Sequence, residues 1–318
     1  MRKAFLGIGV VAVAAAGLWL ATRGGAVEHA YVITPKAAVW SRLAVVREPL
    51  AELQYGERLD VLERRTEHAH VRTKDGVTGW IELRHLMPPE TWQRAAALRD
   101  EAAKLAVQAS GTTKVRTNVR LEPGRAGTQI FQFLADTKVE IVARRVAEWT
   151  QARAGDDEDG AAPPARKEDW LLVRGVAGDT REVTGWVLGR FLAPDYPQVL
   201  RDYAGVNRFV AWFRLADSQT EDGPRPTWLA AGVSGPEGQA CDFTLLRVYT
   251  WNAKRARYET AFVESNLCGK LPLRVSPAAQ GDAQGRASFA FTAAGRRGED
   301  EPREYTLRQN IVRRVRKN

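Results

Sequence analysis

The chain has 318 residues, 44% of them hydrophobic and 27% charged, with a net charge of +9. That composition is globular and excludes a wholly disordered chain, a collagen and a multi-span membrane protein. Two cysteines make neither a disulfide-dense scaffold nor a four-cysteine zinc site. All four histidines, His29, His68, His70 and His85, lie in the first 85 residues, so the rest of the sequence has no histidine for a catalytic triad or a metal.

At the N-terminus, Met1-Arg2-Lys3 precede an uncharged run of 19 residues, Ala4 to Thr22, which Arg23 closes. About 20 apolar residues span a bilayer as a helix. Residues 1–26 therefore read as a membrane anchor or a signal peptide. Small residues at Gly24-Gly25-Ala26 would permit cleavage, but the run exceeds the roughly 7–15 residues of an apolar signal region, which favours the uncleaved anchor. Either way the remainder is expected to be exported to the periplasm or another extracytoplasmic space; uncleaved, residues 4–22 anchor it to the inner membrane. No cysteine ends the run, which excludes a lipoprotein anchor. Without Arg2, Lys3 and Arg23 the exported part keeps a charge of +6, which favours anionic surroundings such as headgroups or wall polymers. Nucleic acid is not an expected partner there. Cys241 and Cys268 are an even pair in an oxidising compartment and are expected to form one disulfide.

The next segment, residues 30–88, consists of short alternating runs such as Gly56 to Leu62 and His70 to Thr73, ending in Val77-Thr78-Gly79-Trp80-Ile81. Period-two alternation between turn residues is the pattern of a small all-β barrel. Residues 89–110 are rich in helix formers, with Trp92, Ala95, Ala96, Ala102, Leu105, Ala106 and Ala109 at helical spacing. They read as a helical linker.

Residues 113–194 repeat the first pattern: Val183-Thr184-Gly185-Trp186-Val187 follows Val77-Thr78-Gly79-Trp80-Ile81 at an offset of 106. Gly79 and Gly185 indicate close backbone approach within a strand. The second copy opens with Asn118-Val119-Arg120 and a Pro123-Gly124 turn. It continues through an Ile/Phe-rich strand and Asp136 to Val142, and ends with Trp170-Leu171-Leu172-Val173, the Gly185-Trp186 segment and Phe191-Leu192. This order of elements resembles the bacterial SH3-like domain; the first copy, opening with Ala38-Val39-Trp40-Ser41-Arg42, resembles it less closely. The resemblance implies two small barrels that bind a ligand, either peptidoglycan peptide or an envelope protein. Arg120, Trp186, Trp80 and Trp170 are the candidate ligand-binding residues, with core or edge packing as the competing role for the tryptophans and a bracing ion pair for Arg120. An insertion at 154–167, acidic and Pro-rich, reads as a disordered surface loop; it lacks the EF-hand spacing.

From about Tyr203 to residue 318, six or seven runs such as Phe243 to Trp251 and Ala287 to Thr292 predict a third, antiparallel β domain, with a hairpin turn at Asn252 to Arg255. The basic tail, including Arg308, Arg313, Arg314, Arg316 and Lys317, reads as a last strand with a charged outer side.

No phosphate loop and no Gly-x-Ser-x-Gly elbow occurs. His68-Ala69-His70 puts two imidazoles on one strand face with no nearby acidic or cysteine ligand, a weak metal pattern. No cofactor is expected. The sequence as a whole reads as an all-β, three-domain exported protein, two SH3-like barrels joined by a helix plus a C-terminal β domain, acting as a non-enzymatic binding module. The alternative is an assembly subunit whose C-terminal β domain carries a protein–protein interaction, with a carboxylate-pair hydrolase a distant third.

Overall fold

The structure, a computed structural model, describes residues 28–149, 165–177, 181–203, 205, 208–221, 223–282, 284–295 and 297–315. The anchor or signal segment and residues 154–164 of the acidic insertion lie outside the described residues. Among the described residues, no helix is long and apolar enough to cross a membrane. The described residues are nearly all-β, with three antiparallel sheets and two helices. It divides into two compact units, Met1–Trp92 and Gln93–Asn318.

The first unit contains β1 (Glu28–Val32), β2 (Lys36–Trp40), β3 (Pro49–Gln54), β4 (Arg58–Arg64), β5 (His68–Arg72), β6 (Thr78–Glu82) and β7 (Leu86–Met87). Their order in the sheet is β3-β2-β6-β5-β4-β1-β7. Alternation produces the core: Ala30 and Val32, Leu59 and Val61, Ala69 and Val71, and Ile81 are buried in one cluster, while their sequence neighbours are not. Helix α1 (Pro89–Ala102) begins in this unit, where the Trp92 ring stacks on Tyr31 at 4.9 Å and meets Tyr55 edge-on.

The second unit opens with β8 (Ala109–Thr113), β9 (Thr117–Arg120), β10 (Gln129–Phe133), β11 (Lys138–Trp149), β12 (Arg166–Ala177), β13 (Arg181–Leu188) and β14 (Leu192–Pro194). Their order, β10-β9-β13-β12-β11-β8-β14, reproduces the first sheet strand for strand. In each copy a 3-10 turn, Leu83–His85 or Gly189–Phe191, precedes the short last strand. The sequence repeat is thus a repeat of topology. Strand pairing does not close either sheet into a complete barrel. The last strands, only two and three residues long, pair with β1 and β8, so β3 and β10 each keep one edge without a strand partner among the described residues.

The repeated glycine has a steric reason. A Cβ on Gly185 would lie 2.5 Å from Val119 Cγ1 and 2.8 Å from the Arg120 carbonyl oxygen; one on Gly79 would lie 2.6 Å from the Trp40 oxygen. In both sheets the strand carrying the Gly-Trp pair crosses onto the second strand at that point, at Trp80↔Trp40 and Trp186↔Arg120. Only a residue without a side chain allows that approach.

Two expected boundaries shift. The helix ends at Ala102 and does not reach residue 110, because Lys104 and Leu105 donate to the carbonyls of Glu101 and Ala102 in a tightened final turn. Gln108 then donates to Ile141, and β8 begins at Ala109. Residues 166 and 167, expected in the acidic loop, already belong to β12.

The rest of this unit holds helix α2 (Gln198–Tyr203) and strands β15 (Arg208–Thr220), β16 (Gly223–Val233), β17 (Phe243–Asn252), β18 (Arg257–Ser276), β19 (Ala287–Ala294), β20 (Asp300–Arg308) and β21 (Ile311–Arg314). They form a meander in which every neighbour is consecutive in sequence. The expected hairpin is present, with Trp251 opposite Tyr258 and Asn252 opposite Arg257. The core of the meander is aromatic: Phe289 stacks on Tyr305 at 5.0 Å, and Phe243 meets Phe291 at 5.2 Å. The tail strand β21 follows a turn at Gln309 and Asn310, both at positive φ. Gly185→Ala is expected to destabilise the second unit by about 1–3 kcal/mol, the usual cost of overpacking, measured by urea unfolding of the full chain; an unchanged midpoint would show that the crossing can relax.

Candidate functional site

In the second unit, strand β12 of the second sheet lies against a loop of the third, residues 237–242. Its burial is unusual for its sequence: Glu168, Asp169 and Trp170 are all buried. Isolated carboxylates are expensive to bury, and these are paired. Arg144 of β11, itself buried, donates from Nη2 to Asp169 Oδ1 at 2.6 Å and from Nη1 to Asp242 Oδ1 at 2.6 Å. Its Nη2 also donates to the Gln239 carbonyl at 2.8 Å. Asp169 accepts in addition from the Gly238 amide at 2.9 Å and from Arg208 Nη2 at 3.1 Å. The other oxygen of Asp242 accepts from the Leu271 amide at 2.7 Å.

Three further features fix the third sheet and its 237–242 loop in place around this network. Gly238 has φ +77, and a Cβ there would lie 2.3 Å from Lys167 Cβ, so no other residue fits without movement. Cys241 is bonded to Cys268, the disulfide expected from the cysteine count. Gln108, fully buried before β8, accepts the Leu273 amide on its side-chain oxygen at 2.8 Å and the Trp212 amide on its carbonyl at 3.0 Å.

Beside this network lies a cavity of about 290 Å³. Its apolar floor includes Ile141, Leu171, Leu192, Val210 and Trp212. Its polar wall is Lys114, Arg144, Asp169, Arg190, Arg208 and Glu237. Arg190 contacts both Glu168 and Glu237. Tyr196 also lines the cavity; its hydroxyl donates to the Phe209 carbonyl at 3.3 Å, and burial raises its pKa, so it stays protonated at neutral pH. The hydrogen bond from Arg125, with the charge of Arg190 behind it, holds the Glu168 carboxyl below the usual glutamate range. A second groove, about 980 Å³ and open to solvent, is lined by Lys138, Glu140, Arg174 and Glu182. It is the larger space, but Arg174 pairs across the strands with Glu140 at 2.8 Å and there is no enclosed floor, so the smaller cavity is the better candidate.

The residues singled out from sequence fall elsewhere. Trp170 and Trp186 are buried together with Leu172, Leu188 and Val142, under Leu98, Ala102 and Leu105. They pack the outer face of the second sheet and offer no surface to a ligand. Trp80 holds the same ladder position in the first sheet as Trp186 in the second, but there it is half-exposed: His70 lies beside it and the Arg65 guanidinium sits 4.4 Å over its ring. Arg120 donates to the Gly127 carbonyl and closes the β9–β10 turn, and burial together with the nearby Arg125 charge lowers its pKa. His68 and His70 sit on β5, and among the described residues no group of three or more His, Cys, Asp or Glu is placed to hold a metal ion. The buried pair Glu168-Asp169 was missed. In sequence they are two acids directly before Trp170, and only the pairing of their strand with the one carrying Arg144-Arg145 brings them to a cation.

No family model matches this sequence. No curated protein matches it either. Among solved structures, NlpC2 from Trichomonas vaginalis aligns with 92% of this chain and 97% of its own, at 12% identity and a TM-score of 0.18. NlpC1 from the same organism aligns with 92% of each chain, at 11% identity and the same score. Similarity at that level carries neither a fold nor an activity over to this chain.

Two outcomes test the network. Arg144→Met leaves Asp169 and Asp242 buried without their shared cation and is expected to cost about 3–5 kcal/mol in urea unfolding, with part recovered in the Arg144→Met/Asp242→Asn double variant. Glu168 has a depressed pKa in the folded state, so the stability it adds is complete above the ordinary glutamate value of 4.5 and is lost as pH falls through the depressed value. Glu168→Gln should therefore flatten the acid limb of the stability profile below that pH; an unchanged limb would assign acid sensitivity to other carboxylates.

Proposed function

We propose that this chain is a non-enzymatic binding protein of the bacterial cell envelope. It is exported, held at the inner membrane by residues 4–22, and built on two SH3-like modules that present a C-terminal β domain. Its partner is peptidoglycan peptide or an envelope protein.

The observation that carries a binding role is the state of the cavity wall. Its acids are committed to arginines, Asp169 to Arg144 and Arg208, and Glu237 to Arg190. Its tyrosine is committed to a carbonyl. Groups locked in this way offer shape and charge more than proton transfer, which needs a group free to change its protonation state. The SH3-like reading draws support from the strand order shared by the two copies and from the glycine crossing in each. The exported reading draws support from the Cys241–Cys268 disulfide, since such bonds persist in oxidising compartments.

The full chain in detergent is expected to sediment with purified peptidoglycan, and to do so at moderate as well as low salt. Sedimentation abolished by moderate salt would reduce the interaction to the basic net charge; none at either salt would turn the search to protein partners.

A further inference from the structure

The ion pairs around the cavity are asymmetric in depth. The side chains of Glu168 and Asp169 are 1% and 8% exposed, whereas those of Arg190 and Arg208, which pair with them, are 39% and 41% exposed. The negative ends are inside and the positive ends face the mouth. Lys114 adds a third cation: it is exposed, and its ammonium donates at 2.9 Å to the Arg190 carbonyl, its only partner among the described residues. One carboxylate, Glu237, faces the same mouth and lies 3.3 Å from Arg190. The outer layer of the entrance thus holds three cations and the part-exposed Glu237, with Glu168 and Asp169 offsetting Arg190 and Arg208 from below, over an apolar floor.

The size limits what can enter. About 290 Å³ is at the small end of ligand pockets, roughly 300–1,000 Å³. It takes one apolar side chain with its headgroup, not a length of polymer. Guanidinium groups beside an ammonium are well suited to a carboxylate, which accepts from both at once.

We propose that this cavity captures the free C-terminal carboxylate of a peptide, with the terminal apolar side chain on the Ile141, Leu171 and Trp212 floor and the carboxylate between Lys114 and Arg208. The proposal rests on the binding function above and names the chemistry its ligand must have. An N-acylated amino acid carries the same two groups and is distinguished from a peptide end by the test.

The test is calorimetric titration of the full chain with three probes: N-acetyl-Ala-Ala-Phe as the acid, the same peptide as its C-terminal amide, and N-acetyl-phenylalanine. The tripeptide acid is expected to bind at least about tenfold more tightly than its amide, as the loss of a charge-assisted contact requires. Lys114→Glu, at an exposed position whose ammonium makes one hydrogen bond, to the Arg190 carbonyl, should lower acid affinity about tenfold or more and leave the weaker amide binding unchanged. Val210→Trp, which fills the floor, should abolish binding of the acid; should that variant fail to fold, the Lys114→Glu arm still decides. Equal binding of acid and amide, no binding of either, or an acid affinity indifferent to Lys114→Glu would overturn the proposal. N-acetyl-phenylalanine binding as tightly as the tripeptide would overturn the peptide source and leave a small carboxylate. Sedimentation with peptidoglycan is read separately, so failure of the envelope function and failure of carboxylate capture are distinguishable.

Discussion

The second unit depends on a single buried guanidinium. Arg144 reaches Asp169 on the neighbouring strand and Asp242 nearly a hundred residues further along the chain, and it takes a backbone carbonyl with the same fork. These side chains are largely buried, so each member needs the others: a lone charge in that position would cost several kcal/mol. The geometry also explains why the surrounding loop is so constrained. Asp242 is one residue from Cys241, and Gly238 donates to the same aspartate that Arg144 holds. The glycine and the ion network thus restrain one short segment against β12, and the disulfide ties the same segment to β18.

That restraint gives the cavity its character. Asp169 is held from inside by Arg144, and the buried Glu168 pairs only with part-exposed arginines, so Arg190 and Arg208 present their charge outward. The same charges placed on a free surface would average to a mixed, hydrated patch of little consequence. Depth, not composition, puts the cations at the entrance. The apolar floor comes from both sheets, Ile141 and Leu171 from the second and Val210 and Trp212 from the third, so the site exists only where the two meet.

The two copies show how one topology takes different environments. In the ladder between the strand pairs β5–β6 and β12–β13, His68, His70, Trp80 and Glu82 occupy the places of Trp170, Leu172, Trp186 and Leu188. The first set is half-exposed and polar; the second is buried under Leu98, Ala102 and Leu105 and is apolar. Strand order and the glycine crossing are common to both, because they follow from backbone sterics. The outer face differs because something covers it in only one copy.

Local chemistry determined what the sequence disclosed alone. Alternation placed the strands, the Gly-Trp pair marked the crossing strand of each copy, and an isolated even pair of cysteines indicated the disulfide. These signals act over a few residues or through residue counts. Tertiary structure alone decided which tryptophans are covered, where the helix stops and where the charges end up. Trp186 and Trp80 have near-identical sequence contexts and different burial, since burial depends on what packs from elsewhere. Arg120 was a reasonable anion contact until its turn claimed it. Glu168, Asp169 and Arg144 carry no local mark of burial in the sequence, because a charge joins a core only when distant partners arrive together, and no pattern in one stretch of chain encodes that meeting.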